Sequence, residues 1–105
     1  MEICRSAGVK IGFGSDLLGQ LQSDHCNEFT LRSAAMSPQE IIRSATLVGA
    51  EIVRAPGKLG ELVPGAFADL LVVDGDPYRD LGVFRNDGAR MAAIMADGRL
   101  VVNRL

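Results

Sequence analysis

The sequence predicts a mixed α/β chain, and three local patterns support that fold class. The apolar run from Val9 to Gly14 has the character of a β-strand and ends in glycine. Further on, the segment Ser-Pro-Gln-Glu, residues 37–40, precedes apolar residues at helical spacing. Near the end, Asp97-Gly98 separates two apolar runs, which favours a tight β-hairpin. We therefore expect helix, strand, helix and helix in the first half, and short strands in the second.

Residues 1–35 are expected to contain the end of a helix, one strand and the start of another helix. Gly8 closes the first helix, because glycine readily takes the left-handed conformation at a helix C-terminus. The glycines in the following strand permit close approach of other backbone. The pattern breaks down between residues 15 and 24, which indicates a loop, and becomes helical again in residues 27–35.

The longest helix is expected to begin at Ser37 and to end near Arg54. Ser37 can cap the N-terminus, Pro38 suits the first helical position, and Glu40 can complete a capping box. Spacings of four, three and four residues give the apolar positions of one face, which are Ile41, Ala45, Val48 and Ile52. Pro56 ends the helix, because a proline disfavours helical geometry in the residue before it.

After Gly57 the sequence changes to short β-like segments and turns. Ala-Asp-Leu-Leu-Val-Val-Asp-Gly, residues 68–75, predicts a strand, and Asp76-Pro77 predicts the turn that follows it. This change of character predicts two units, residues 1–57 and residues 58–105. Each unit looks incomplete by itself, because a lone strand has no sheet to join and three short strands offer only a thin core.

The composition is that of a globular chain without nucleic-acid or membrane features. The 105 residues carry a formal net charge of −2 and are 48% apolar, which argues against a nucleic-acid groove or an anionic membrane partner. The apolar runs are too short to span a bilayer, and the N-terminus lacks the apolar core of a secretory signal. We therefore expect a cytoplasmic protein in which Cys4 and Cys26, which have no CxxC spacing, stay reduced.

Asp16 raises the functional question, because it follows the glycine-rich end of the predicted strand. A phosphate-binding loop is disfavoured, since a dinucleotide fingerprint needs glycine where Leu17 stands and the chain has no Gly-Lys-Ser/Thr. Asp16 could instead cap the next turn, as aspartates after strands often do. A third interpretation places it at the C-terminal mouth of a parallel barrel strand, where a carboxylate can bind a metal ion or accept a proton.

Four sequence blocks occur in a characteristic order, at residues 8–16, 37–53, 57–81 and 94–103. The most specific part reads G-x-L-x-P-G-x-x-A-D-L-L-V-V-D-G-D-P and runs from Gly60 to Pro77. In this order the blocks resemble the C-terminal end of the metal-dependent amidohydrolase superfamily, and within it the imidazolonepropionase-like and Xaa-Pro dipeptidase-like enzymes.

The resemblance implies an incomplete fragment of a larger fold. Residues 1–57 would supply the last strand and helices of a (β/α)₈ barrel, and residues 58–105 the C-terminal part of a small composite β-sandwich. The segment 9–14 would be the eighth barrel strand. Asp16 would match the aspartate at the end of that strand, which is a metal ligand and the general base toward the attacking water.

The resemblance also implies a hydrolase that uses metal-activated water to cleave C–N bonds of amides, cyclic amides or dipeptides. The complete enzyme would hold one or two divalent metal ions, zinc being expected, largely through histidines, and this chain has one histidine. We therefore expect the chain alone to be inactive and not to hold zinc, since a zinc site needs about three protein ligands. Its partners would be a small-molecule substrate and either the remaining barrel segment or further copies of itself. The alternative function is a non-catalytic remnant or association domain.

Other candidate residues have structural interpretations. His25 matches no ligand of the resembled family, so a surface or capping role is favoured for it. Cys26 is interpreted as a small buried hydrophobe. Asp69 and Asp74 fall on opposite faces of a strand, so they are not expected to converge with Asp76 on a metal ion.

Overall fold

Helical turns form the first part of the described chain, and a three-stranded antiparallel sheet forms the last part. The computed structural model describes Cys4 and residues 6–14, 28–85 and 89–105. The predicted mixture of helices and strands is confirmed. Within the described residues, no helix is both long enough and apolar enough to cross a membrane.

The segment 9–14 starts where a helical turn ends. Gly8 has φ +75°, and the Val9 amide donates to the Cys4 carbonyl at 3.0 Å, so the predicted role of Gly8 in ending a helix is confirmed. The strand predicted over residues 9–14 is not formed within the described chain. A strand needs a paired neighbour, and the described strands form one sheet that does not include this segment.

A short helix, α1 (Glu28–Leu31), continues as a 3₁₀ turn (Arg32–Ala34). The next helix begins as the sequence predicts. Ser37 has an extended backbone, its Oγ accepts a hydrogen bond from the Glu40 amide at 3.2 Å, and Pro38 occupies the first helical turn. These contacts define α2 (Pro38–Arg43) and confirm the N-terminal cap.

The helix that starts at α2 continues through a wide turn of π type (Ser44–Val48) into α3 (Gly49–Ile52). Arg54, with φ +61°, lies just beyond its end, and the Ala55 amide donates to the Ala50 carbonyl at 2.8 Å. The predicted end near Arg54 is therefore confirmed. The π turn has no counterpart in the sequence prediction, because the apolar spacing across it is that of an ordinary helix.

The sheet comprises β1 (Leu70–Val73), β2 (Met91–Ala96) and β3 (Arg99–Asn103), in the order β1-β2-β3 with both pairs antiparallel. The turn between β2 and β3 is Asp97-Gly98, with φ values of +49° and +78°. Two consecutive positive φ angles are what a type I′ turn requires. The predicted hairpin is therefore confirmed.

The core is shared by residues from both sides of Gly57. Its buried members come from the helical part, the 3₁₀ turn Leu81–Phe84 and the start of β2: they are Met36, Ile41, Leu81, Val83, Phe84 and Met91. Phe13 and Phe29 pack against this cluster from outside. The core therefore anchors both the sheet and the segment that leads toward Asp16.

Candidate functional site

The candidate site lies at the end of the segment 9–14. Asp16, the predicted metal ligand and general base, lies outside the described residues, as do His25 and Cys26. The described segment stops at Gly14, two positions before Asp16. The groups that fix Gly12 to Gly14 are therefore the described part of this site.

The Arg32 guanidinium holds this segment by two backbone carbonyls. Its Nη1 donates to the Gly12 carbonyl at 2.7 Å, and its Nη2 donates to the Gly14 carbonyl at 3.2 Å. The planar fork of an arginine presents several donors in fixed directions. One side chain on the turn after α1 thus spans the last three described residues before Asp16.

Arg32 is itself buried and oriented by two further contacts. Only 7% of its surface is exposed, and its Nε donates to Glu28 Oε1 at 2.9 Å, four residues earlier on α1. The guanidinium carbon also lies 4.7 Å from the centre of the Phe13 ring, within the range of a cation–π contact. A buried cation costs stability unless it is paired and hydrogen-bonded, and here all three directions of the fork are used.

A row of three aromatic rings joins the same segment to the core. The Phe13 and Phe29 ring centres are 4.4 Å apart, and the Phe29 and Phe84 centres are 4.3 Å apart, with tilts of 34° and 32°. Tilted pairs at this separation are favourable beyond their buried area. Phe84 belongs to the buried core, so the row of rings connects the segment before Asp16 to that core.

The start of the segment is tied to α3 by an exposed ion pair. The Lys10 ammonium donates to the Glu51 carboxylate. That hydrogen bond and the Lys10 charge hold the pKa of Glu51 below its usual value. Both side chains are solvent-exposed, so the pair orients the segment more than it stabilises the fold.

Three aspartates in the Gly60–Pro77 block and the turn after it accept hydrogen bonds from backbone amides. Asp69 Oδ1 accepts from the Asp97 amide at 2.7 Å and so links β1 to the hairpin turn. Asp76 Oδ1 accepts from the Tyr78 amide at 3.0 Å, and Asp80 Oδ1 from the Gly82 amide at 2.8 Å. Within the described part of the chain, no three His, Cys, Asp or Glu side chains are grouped to hold a metal ion. The structural role predicted for Asp69 and Asp76 agrees with these contacts.

A cavity of about 520 Å³ lies between the helical part and β1. Its walls are mostly apolar and include Phe29, Ile42, Leu70, Val73 and Phe84. Glu61 and Asp69 are its acidic members, but Asp69 is already bonded to the hairpin turn. The cavity therefore lacks the grouped acid, base or nucleophile that a reaction site needs.

Arg32 is a site residue that the sequence did not predict. Its partners Gly12 and Gly14 lie 20 and 18 positions away in the chain, and no local pattern reports such a contact. Two signals were available. Arg32 lies among the apolar members of a helical pattern, and Glu28 stands four residues before it, the spacing of a helical ion pair.

Comparison with known proteins gives consistent matches. The model of the amidohydrolase family matches residues 1–101. A solved amidohydrolase matches 99% of this chain at 48% identity and a TM-score of 0.96. A solved prolidase, in complex with N-methylphosphonate-L-proline, matches 97% at 47% identity and a TM-score of 0.92. Adenine deaminase 4 of Rhizobium meliloti (strain 1021) is 34% identical over 90 residues, which is 84% of this chain.

The matched proteins are much longer than this chain. The match covers 25% of each of the two solved proteins and 14% of the deaminase. The predicted resemblance is confirmed, and it concerns one part of those proteins.

Proposed function

Because the chain belongs to the amidohydrolase family, we propose that it forms the C-terminal quarter of a hydrolase that cleaves C–N bonds. The observation that carries the proposal is the match to two solved proteins at 47–48% identity over 97–99% of this chain. The match includes the segment before Asp16 and the block from Gly60 to Pro77. In this proposal residues 1–57 complete a (β/α)₈ barrel, and residues 58–105 complete a β-sandwich.

Asp16 is the residue that we propose takes part in the reaction. Its carboxylate accepts a proton from the attacking water and delivers it to the leaving nitrogen, which is the role of a general base and then a general acid. In the complete enzyme we propose that residues 9–14 pair with neighbouring barrel strands from the rest of the polypeptide, which would place Asp16 at the mouth of the barrel, where loops set specificity. The described contacts that support this role are those of Arg32, Phe13 and Lys10, which fix the backbone that precedes it.

The metal requirement belongs to the complete enzyme. When bound in the complete enzyme, a divalent metal ion, zinc in this proposal, would lower the pKa of the attacking water. The described residues do not fit such an ion by themselves, since they contain no group of three suitable ligands. Asp16 would be one ligand, and the others would come from polypeptide beyond this chain.

For the substrate we propose a dipeptide rather than an aminopurine. The prolidase is 47% identical to this chain over 97% of it, whereas the deaminase is 34% identical over 84%. In both the hydrolysis of a peptide bond and hydrolytic deamination, water attacks a carbon atom that is bonded to nitrogen. Asp16 could therefore serve as the base in either reaction. The greater likeness to the prolidase decides between the two in this proposal.

The partner that we propose is the rest of the enzyme, with self-association as the alternative. The exposed apolar side chains include Leu71 and Val101 of the sheet, which are 51% and 59% exposed. The outer edges of β1 and β3 have no partner strand among the described residues. Apolar surfaces and free edges of this kind tend to be covered by another chain segment. A non-catalytic association domain would use the same surfaces, which is the second function that the exposed residues favour.

The proposal is tested in a complete enzyme that carries this chain. Such an enzyme can be made by replacing the matching quarter of the 48%-identical amidohydrolase with residues 1–105. We expect it to release proline from alanylproline, to lose this activity when a chelator removes the metal, and to regain it with zinc. A folded, zinc-loaded chimera that hydrolyses neither alanylproline nor adenine would contradict the proposal and favour the association domain.

A further inference from the structure

We infer that Arg32 is a positioning residue for the reaction, which fixes the backbone that presents Asp16. This inference rests on the proposed function of Asp16. Arg32 does not itself act on the substrate in this account. It acts through the carbonyls of Gly12 and Gly14, at 2.7 and 3.2 Å from its two terminal nitrogens.

Arg32 binds the segment through two hydrogen bonds, to the carbonyls of Gly12 and Gly14, and we call this pair of bonds the Arg32 clamp. A single hydrogen bond leaves the chain free to rotate about the bonded atom. Two bonds from one planar guanidinium fix both the distance and the orientation of the segment between Gly12 and Gly14. The chain continues from there to Asp16 after one intervening residue, so freedom in this segment would be passed on to the carboxylate.

The fork is itself held in place. Glu28 accepts from Nε at 2.9 Å, and the Phe13 ring lies 4.7 Å from the guanidinium carbon. With 7% of Arg32 exposed, water has little access to the guanidinium itself. Both ends of the clamp are therefore held: Glu28 on α1 bonds to the arginine, and Phe13 packs the segment against Phe29 and the core.

The contacts of Arg32 are more than a stable fold needs. Two glycine carbonyls near a protein surface could be satisfied by water. A buried ion pair is weak evidence for stability, because desolvation opposes the attraction between the charges. A requirement for a fixed backbone ahead of Asp16 explains why a buried arginine, rather than an apolar side chain, occupies this position.

The experiment uses the complete enzyme that carries this chain, with alanylproline as substrate. Arg32→Met keeps much of the side-chain volume and removes every donor, whereas Arg32→Lys keeps the charge and can donate to one carbonyl at a time. Ile41→Val is the matched control, because Ile41 is fully buried in the core and is not a partner of Gly12 or Gly14. For each variant kcat and KM are measured per folded molecule, together with the melting temperature. Asp16→Asn is measured beside them.

We expect Arg32→Met to lower kcat by about 10- to 100-fold with little change in KM, since small misplacement of a reacting group has effects of this size. Arg32→Lys should recover part of that loss. Ile41→Val should lower the melting temperature and leave kcat unchanged. If the role of Arg32 were merely structural, Arg32→Met would give this same result.

The outcomes separate this inference from the proposed function. Normal kcat in folded Arg32→Met, with a large loss in Asp16→Asn, would overturn the inference and leave the proposed function intact. Normal kcat in Asp16→Asn would overturn both. If Arg32→Met does not fold, Arg32→Lys decides: normal kcat in that variant overturns the clamp, and a reduced kcat at unchanged KM supports it.

Discussion

Gly60 provides a direct test of how the sheet-forming half packs on the helix. Gly60 has φ +83°, and a Cβ atom added there would lie 2.7 Å from the Thr46 carbonyl carbon and closer still to its oxygen. These atoms are backbone atoms of the π turn Ser44–Val48, so they cannot move aside as a flexible side chain could. Gly60→Ala must therefore shift one of the two segments.

The cost of Gly60→Ala has two parts. An L-residue at positive φ costs about 1–2 kcal/mol, and forcing an extra carbon into a packed site costs about 1–3 kcal/mol. The free energy of unfolding should therefore fall by about 2–5 kcal/mol. Gly65→Ala is the matched control, because Gly65 has φ +89° but no atom within 4 Å of an added Cβ. Gly65→Ala should therefore lower the free energy of unfolding only by the cost of an L-residue at positive φ, about 1–2 kcal/mol.

The assay is urea unfolding followed by circular dichroism, on both variants and the unchanged chain. The difference between the two variants isolates the backbone contact between Gly60 and Thr46. Equal destabilisation by Gly60→Ala and Gly65→Ala would refute the close approach, and with it the packing of the Gly60–Pro77 block against the helix.

Three further expectations concern the cap, the ion pair and association. Ser37→Ala should lower the free energy of unfolding by about 1 kcal/mol in urea, because the Glu40 amide loses its acceptor; no change would contradict the cap. Glu51→Gln should lower stability slightly at neutral pH. Because Lys10 holds the pKa of Glu51 below its usual value of 4.5, the wild type's advantage is present above pH 4.5 and lost as the pH falls below it. A difference in melting temperature that persists unchanged into strong acid would contradict this. In light scattering the 105-residue chain should form dimers or larger assemblies that Leu71→Lys weakens, and a monomeric wild type would argue against exposed apolar faces as contact surfaces.

The elements that the sequence predicts correctly are those whose cause is local. The Ser37 cap, the helix end at Gly8 and the Asp97-Gly98 turn each depend on neighbours within a few positions, so their residue types suffice to identify them. The turn at Asp76-Pro77 is of the same kind, with Asp76 bonded to the Tyr78 amide.

The features that the sequence could not predict depend on distant partners. The segment 9–14 has the residue types of a strand, but strand formation requires a neighbour that the described chain does not provide. The π turn lies where the Gly60 backbone approaches the helix. The spacing of apolar residues along the helix carries no information about this distant contact. The Arg32 clamp joins residues that are far apart in the sequence, so the support of the candidate site becomes visible only in three dimensions.

The most direct test of the central claim compares Asp16→Asn with Asp69→Asn in the complete enzyme that carries this chain. The measured quantity is turnover of alanylproline per folded, metal-loaded molecule. Asparagine caps a turn about as well as aspartate, so Asp16→Asn separates capping from chemistry. We predict that it lowers turnover by about 10²- to 10⁴-fold, as expected for loss of a general base. Asp69→Asn, at a residue bonded to the hairpin turn, should affect stability and leave turnover near normal. Near-normal turnover in Asp16→Asn would contradict the assignment of this carboxylate to the reaction.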